Sequence, residues 1–173
     1  IIEAKDLDYI TFSGSGEPTL NIKIGQLIAE IKKITAVPVA VITNASLLNV
    51  ALVRQALLEA DLIIPSLDAV TPEIFAKVDR PQENINIKDI ISGLIDLRKE
   101  FKGQIWLEVM LVKGINDDLA HARKLKDIID KINPGRIQLN SPVRTTAEDN
   151  VLAVGKKRLE KLKEILGDKC ELI

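Results

Sequence analysis

Residues 8–20 read Asp-Tyr-Ile-Thr-Phe-Ser-Gly-Ser-Gly-Glu-Pro-Thr-Leu and change character twice within this short stretch. The β-branched and aromatic residues from Tyr9 to Phe12 predict a strand, and the Ser-Gly-Ser-Gly sequence that follows predicts its end. Apolar residues then recur at helical spacing, at Ile24, Leu27, Ile28, Ile31 and Ile34. The stretch therefore predicts a strand, a glycine loop and a helix, with Glu17 at the carboxyl end of the strand.

The charge of this loop indicates what it binds. Phosphate-binding loops present backbone N–H groups and usually a lysine, whereas this loop has no lysine and carries Glu17. A carboxylate about 4 Å from a phosphate costs on the order of 4 kcal/mol per unit charge at a surface-like dielectric. The loop therefore favours a ligand with an ammonium group. The alternative that these residues leave open is a plain βα turn in which Glu17 only favours a helix N-terminus.

The rest of the chain repeats the same unit about five times. Further strands are predicted over residues 37–43, 61–68, 104–112, 136–140 and 170–173, with amphipathic helices between them over 48–58, from 71, up to 101, over 118–132 and around 159–166. Short strands that alternate with helices predict an α/β fold with a parallel sheet, in a single domain over residues 1–173. A full eight-stranded barrel needs ~250 residues, so we expect part of one.

Composition narrows the classes of function. The chain has 173 residues, 46% of them hydrophobic, and a formal net charge of -1. This charge gives no basic field for nonspecific nucleic-acid binding and disfavours tRNA as a partner. No apolar run is long enough to cross a bilayer, and a single cysteine, Cys170, fits the reducing cytoplasm. Because the chain begins at Ile1 and not at Met, we expect a piece of a longer protein.

Polar side chains follow the predicted strands at their carboxyl ends, where α/β folds build their sites. Ser66 and Asp68 end one strand, Glu108 lies in the longest strand, and Lys113 follows it. Lys113 suggests a Schiff-base lyase as an alternative function, although a solvated loop lysine is the simpler interpretation. His121 follows two capping aspartates, so we expect it on a helix surface and expect no metal site in this chain.

Residues 9–20 resemble the glycine-glycine-glutamate segment of the radical S-adenosylmethionine (SAM) enzymes. Further matches follow in order along nearly the whole chain, at residues 42–44, 65–68, 78–81, 106–117 and 137–144. Together they are similar to the iron–sulfur oxidoreductase branch related to the pyruvate formate-lyase activating enzymes, and more distantly to the tRNA wyosine-forming enzymes.

The resemblance implies a partial (β/α)6-type barrel whose open face holds SAM. It places the following residues around SAM: Gly14, Ser15, Gly16 and Glu17 at the methionyl ammonium, Asn44, Ser66 and Asp68 at the ribose or the methionyl carboxylate, Glu108 nearby, and Asn140 to Val143 towards adenine. In the family, a reduced 4Fe–4S cluster cleaves SAM to a 5′-deoxyadenosyl radical, which abstracts hydrogen from a substrate. The cofactor supplies the chemistry and the barrel supplies orientation.

One departure from the family is plain. The cluster motif, Cys-x3-Cys-x2-Cys, does not occur in this sequence, and Cys170 stands alone. We therefore expect that the first strand and the cluster loop are missing, that this piece is inactive, and that it binds SAM weakly. A glycyl radical enzyme or a small molecule is the expected substrate, and an exposed sheet edge predicts a dimer. A non-enzymatic nucleoside-binding module is the second alternative.

Overall fold

The computed structural model describes residues 7–142 and 151–173. Its strands are β1 (Ile10–Phe12), β2 (Val39–Thr43), β3 (Leu62–Pro65), β4 (Gln104–Met110), β5 (Arg136–Asn140) and β6 (Cys170–Leu172). Its helices are α1 (Ile24–Ile34), α2 (Ala51–Leu57), α3 (Pro72–Val78), α4 (Ile87–Glu100), α5 (Leu119–Ile132) and α6 (Lys156–Leu166), and a 3-10 turn at Pro18–Leu20 precedes α1. None of these described helices has the length and hydropathy needed to cross a bilayer.

The strands form one six-stranded sheet in the order of the sequence, from β1 to β6. Every neighbouring pair is parallel, and at least one helix connects each strand to the next. Parallel neighbours need such a crossover because a tight turn cannot return the chain to the starting edge of the sheet. The predicted α/β fold with a parallel sheet is confirmed.

The sheet is curved. The rings of Tyr9, just before β1, and Trp106, on β4, lie 6.0 Å apart between centroids, although β2 and β3 separate these two strands. Three strand spacings in a flat sheet would amount to roughly 14 Å. The sheet therefore bends towards these rings, as in part of a barrel, and Arg136 stacks on Trp106 at 4.3 Å from the same concave side.

The two faces of the sheet differ in burial. On β4, Ile105, Leu107 and Val109 are fully buried against the helices, while the residues between them are half-buried. Alternation of this kind means that helices cover the convex face and that the concave face is more open. The polar residues at the strand ends, Glu108 among them, lie on the concave face.

His121 corrects one prediction. Asp118 caps α5 as expected, since its Oδ1 accepts hydrogen bonds from the backbone N–H groups of Ala120 and His121 at 2.9 Å. The His121 side chain, however, is buried, with 2% exposure, and not on the helix surface. Its position four residues before Leu125 and eight before Ile129 puts it on the same buried stripe of α5.

Candidate functional site

A depression of about 310 Å³ lies at the carboxyl ends of β1, β2 and β3. The glycine loop forms one wall, and the strand ends form the floor and the other wall. Its lining consists of Ser13, Gly14, Ser15, Gly16, Glu17, Pro18, Ile42, Thr43, Asn44 and Ser66. A larger cavity, about 850 Å³, lies between α3 and α4, but none of the predicted site residues lines it. The depression is therefore the better candidate site.

Glu17 connects the glycine loop to β2. Its Oε1 accepts hydrogen bonds from Thr19 N at 3.1 Å and from the hydroxyls of Thr19 and Thr43 at 2.6 Å each. Its Oε2 accepts one, from Asn44 N at 2.7 Å. Oε1 is therefore fully used, whereas Oε2 accepts a single hydrogen bond from the described residues and has room for about one more, from a ligand. Glu17 thus has a structural role in addition to the predicted one, and its contact with an ammonium group stays a prediction.

The two glycines of the loop have no role within the protein itself. A Cβ built on Gly14 or Gly16 meets no atom within 4 Å, and neither residue has a positive φ. Neither packing nor backbone conformation therefore requires glycine at these positions. A bare backbone that faces an open depression is what a closely approaching ligand needs.

A second group of polar side chains continues along the next strands. The backbones of Ser66 and Glu108 form a parallel bridge between the ends of β3 and β4. The Asn140 side chain donates from Nδ2 to Glu108 Oε1 at 2.8 Å. Asn140 Oδ1 is buried and accepts no hydrogen bond from the described residues. A buried acceptor without a donor is costly in a folded protein, and a ligand amino group would satisfy it.

Asp68 is the most perturbed carboxyl group of this region. Burial, with smaller contributions from the charges of Asp79 and Glu108, raises the pKa of Asp68 to about 7, against the lowering effect of its hydrogen bond from Met110 N. That bond joins Met110 N to Asp68 Oδ1 at 2.7 Å. Strongly perturbed carboxyl groups on an open face often belong to functional sites.

The predicted site residues fall into two neighbouring groups. The loop residues Gly14, Ser15, Gly16 and Glu17 share the depression with Asn44 and Ser66, whereas Asp68, Glu108 and Asn140 lie further along the strand ends. Val143, the remaining member, lies outside the described residues. Lys113 is exposed, in a loop after β4 and away from the depression, and nothing there favours a Schiff-base lyase.

Two residues of the site were not predicted. Thr43 is buried and holds Glu17 across 26 residues of sequence. Asn116, also buried, donates to the carbonyl oxygens of Asp68 and Met110. Thr43 directly precedes Asn44, so its place at a strand end was a usable signal, whereas the partners of Asn116 leave no trace in the local sequence.

The residues of this chain fit SAM but do not fit an iron–sulfur cluster. Open glycines, a carboxylate with a remaining acceptor position and an unsatisfied buried amide oxygen match an ammonium group, an aminoacyl chain and an adenine amino group. Cys170, in contrast, is buried, and burial raises the pKa of its thiol to about 11. Within residues 7–142 and 151–173, no three His, Cys, Asp or Glu side chains are grouped so as to hold a metal ion.

The sequence model described as the Radical SAM superfamily matches residues 1–125. This span covers more than half of the chain and contains the glycine loop, Asn44, Ser66, Asp68 and Glu108. The match is independent of the geometry above and falls on the same strand ends.

The chain is similar in sequence to proteins that are considerably longer than it is. It is 43% identical over 172 residues to a protein named GTPase Obg from Brachyspira hyodysenteriae, which covers 99% of the chain and 25% of that protein. It is 36% identical over 139 residues to UPF0026 protein slr1464 from Synechocystis sp., which covers 80% of the chain and 52% of that protein. The chain therefore spans a quarter to about half of the length of these curated relatives. Its own sequence has no G-x-x-x-x-G-K-Ser/Thr phosphate loop.

Solved structures share the fold over almost the whole chain. A domain of pyruvate-formate lyase-activating enzyme from Bacteroides vulgatus has a TM-score of 0.77 at 15% identity, covering 94% of this chain and 97% of that one. A radical SAM methyltransferase from Sphaerobacter thermophilus has a TM-score of 0.76 at 19% identity, covering 96% and 51%. SuiB from Streptococcus suis, solved with S-adenosylmethionine bound, has a TM-score of 0.70 at 14% identity, covering 95% and 39%. These similarities confirm the predicted partial-barrel fold.

Proposed function

The chain belongs to the radical SAM superfamily, and we propose that it is the SAM-binding part of an enzyme that cleaves S-adenosylmethionine reductively. The observation that carries this proposal is the depression beside the glycine loop. Gly14 and Gly16 leave open space there, and Glu17 sets a carboxylate at its wall. A site that is bare in backbone and negative in charge favours an ammonium group over a phosphate.

Different residues of the site would bind different parts of SAM. The loop from Gly14 to Glu17 would bind the methionyl ammonium. Ser66, with Asn44 and Asp68, would bind the ribose hydroxyls or the methionyl carboxylate. Glu108 and Asn140 would lie towards adenine, where the unsatisfied Asn140 Oδ1 accepts from the exocyclic amino group, and Val143 belongs to the same proposal.

The work of this chain is to bind and orient. SAM, when bound in the complete enzyme, is the source of the radical that abstracts hydrogen from a substrate. A single buried thiol cannot hold an iron–sulfur cluster, so the cluster ligands would come from outside this sequence. We propose that the piece alone is inactive and that its full-length protein is an oxidoreductase or activating-type enzyme of the cytoplasm.

The net charge of the chain bears on the class of substrate. The near-neutral net charge of the chain disfavours tRNA, so a protein, such as a glycyl radical enzyme, or a small molecule is the proposed substrate. Its contacts would lie on the open concave face, beyond the SAM depression.

Calorimetry with SAM, adenosine and methionine tests the proposal. We expect weak but saturable SAM binding, above micromolar Kd, because the methionyl end lacks the cluster. Gly14→Ala and Gly16→Ala should weaken SAM binding about tenfold, which is roughly 1.4 kcal/mol, and should affect adenosine much less.

The matched control is Gly155→Ala. Gly155 is equally open, with no atom within 4 Å of a built Cβ, but it does not line the depression. The Gly155→Ala variant should bind SAM with the same affinity as the wild type. Equal losses for adenosine and SAM in the loop variants would favour a nucleoside-binding module instead, and submicromolar SAM affinity of this chain would contradict the proposed dependence on the cluster.

A further inference from the structure

At the carboxyl ends of β3 and β4 a side chain continues the link between the strands where their backbone pairing stops, after the hydrogen bond from Leu67 N to Glu108 O at 2.9 Å. Regular pairing of these strands covers Leu62 with Gln104 and Ile63 with Ile105, followed by a single bridge between Ser66 and Glu108. Pro65 interrupts the ladder because it has no N–H to donate. Beyond this point the backbones of Asp68 and Met110 need another partner.

Asn116 is that partner. Its side chain is fully buried, with 0% exposure. Its Nδ2 donates to the carbonyl oxygens of Asp68 and Met110, both at 2.8 Å. Its Oδ1 accepts from Val112 N at 2.6 Å. Both amide hydrogens and the amide oxygen are thus used to hold two strand ends together.

The same segment holds the Asp68 carboxylate. Met110 N donates to Asp68 Oδ1 at 2.7 Å, while the carbonyl of Met110 accepts from Asn116. Asn116 therefore fixes both the backbone of Asp68 and the residue that hydrogen-bonds its side chain. With Oδ1 committed to Met110, Oδ2 is the oxygen that a ligand hydroxyl would meet.

No other described side chain duplicates this link. His121 is buried, with 2% exposure, and its ring lies near the backbone of Asp68, but neither ring nitrogen makes a hydrogen bond of normal geometry to the described residues. A ring near the Asp68 backbone alone does not join the two carbonyls, whereas Asn116 donates to both. The link between the two strand ends therefore depends on the amide of Asn116.

We propose that Asn116 is a positioning residue of the SAM site, which holds the Asp68 carboxylate at the distance and angle that a ligand hydroxyl needs. The proposal rests on the proposed function for its ligand and on the hydrogen bonds above for its geometry. Asn116 touches no ligand itself and acts through Asp68.

The test compares Asn116→Ala and Asn116→Ser with the wild-type chain. NMR titration of the Asp68 carboxyl carbon reports its environment, and calorimetry reports SAM affinity. Loss of the Met110 hydrogen bond, which favours the charged form, should raise the titration midpoint of Asp68 by at least about half a unit. SAM binding should weaken by about fivefold or more. If Asn116→Ala does not fold, Asn116→Ser retains one donor and keeps the comparison possible.

Asp61→Ala is the matched control. The Asp61 carboxylate accepts from Val39 N at 2.8 Å and from Lys32 Nζ at 2.7 Å, so it joins β2 and β3 at their amino ends, far from the site. The Asp61→Ala substitution should lower the stability of the fold without changing the Asp68 titration or the SAM affinity. An unchanged Asp68 titration in both Asn116 variants, or an equal change in Asp61→Ala, would overturn the proposal. If the wild type does not bind SAM, the proposed function fails, while the Asp68 titration still decides the role of Asn116.

Discussion

The Glu17 carboxylate has one structural role and one proposed binding role. It holds the glycine loop against β2 through Thr19, Thr43 and Asn44, and it provides the negative charge proposed to meet an ammonium group. Substitutions separate these roles. Glu17→Gln removes the charge, whereas Thr43→Val leaves the charge in place and removes the hydroxyl that donates to Glu17 Oε1 and accepts from Ala45 N.

We expect Glu17→Gln to weaken SAM binding about tenfold or more and to lower stability by about 1–2 kcal/mol, since an amide places a donor against Asn44 N. Thr43→Val should cost similar stability with a smaller loss of SAM affinity. Calorimetry with SAM and adenosine, beside urea unfolding, separates the two effects. If Glu17→Gln weakens adenosine as much as SAM, the charge has no part in binding.

Asp68 predicts a pH dependence of stability. Its pKa is raised from 3.8 to about 7, so the folded state holds a proton that the unfolded chain releases. Its contribution to stability is fully present below the unfolded pKa and is lost as pH rises through about 7. The whole shift corresponds to about 4 kcal/mol, and because Asp68 is only partly buried we expect roughly half of that.

Asp68→Asn should therefore be more stable than the wild type by about 2 kcal/mol near pH 8 and equally stable near pH 4. Urea unfolding at both pH values measures this. Asp61→Asn is a control of opposite sign. Burial raises the pKa of Asp61, but hydrogen bonds from Lys32 and Val39 lower it by more, so its net pKa is below the usual value. That variant should therefore lose stability at neutral pH. A gain for Asp68→Asn that does not vary with pH would contradict the account.

The sequence predicted the residues of the site better than their contacts. Gly14, Gly16 and Glu17 could be found because loop composition and charge are local properties. The hydrogen bond from Thr43 to Glu17 and the bonds of Asn116 to Asp68 join residues 26 and 48 positions apart, and local patterns contain no such information. The prediction for His121 was wrong because its spacing from Leu125 and Ile129, which puts it on the buried stripe of α5, outweighs its place beside the capping aspartates.

At the scale of elements, α4 is fixed by a close contact with the loop after β2. A Cβ on Gly93 would lie 2.4 Å from the carbonyl carbon of Leu48 and 2.5 Å from Asn49 N. Backbone atoms cannot yield as a flexible side chain can, so α4 sits directly against this loop. The contact supports the segment that begins with Asn44.

Gly93→Ala should lower stability by about 2 kcal/mol or more, although alanine in a helix is otherwise favoured over glycine by roughly 1 kcal/mol. Ser92→Ala, its exposed neighbour, should be neutral or slightly stabilising. Urea unfolding of the two variants gives the comparison, and a Gly93→Ala protein as stable as the wild type would mean that the packing is looser than described.

Periodicity was enough to predict the helices and strands but not their ends. The helix pattern of residues 24–34 matched α1 because its apolar spacing has one interpretation. The strand predicted over 61–68 ends at Pro65 in the structure, since proline has no N–H for the ladder and only the isolated backbone bonds of Ser66 and Leu67 follow before side-chain bonds take over. Curvature of the sheet, seen in the approach of Tyr9 to Trp106, depends on pairing over long distances and was beyond sequence patterns.

At the scale of the whole molecule, β1 is an edge strand of the described sheet, and no described residue covers one apolar side of the adjacent α1. Gly25 packs against α2 and Lys32 Nζ donates to the carbonyl of Glu59, just after α2, while Leu27 and Ile34 on the opposite side are 41% and 84% exposed. An open parallel edge beside an apolar helix face favours pairing with a second copy.

We expect the chain to self-associate at high protein concentration through this edge. Leu27→Lys combined with Ile34→Lys should reduce association without loss of stability, because both side chains are exposed. Lys substitutions at Leu52, which is 75% exposed on α2, serve as the control. Sedimentation equilibrium that finds a monomer at every concentration would remove the basis for a dimer.

Amide NMR spectra of the chain during titration with SAM test the central claim most directly. We expect saturable shifts at Gly14, Gly16, Asn44 and Ser66, with smaller shifts near Asp68 and Asn140. Shifts confined to residues around the cavity between α3 and α4, such as Phe75 and Ile87, or no saturable shifts at all, would contradict it.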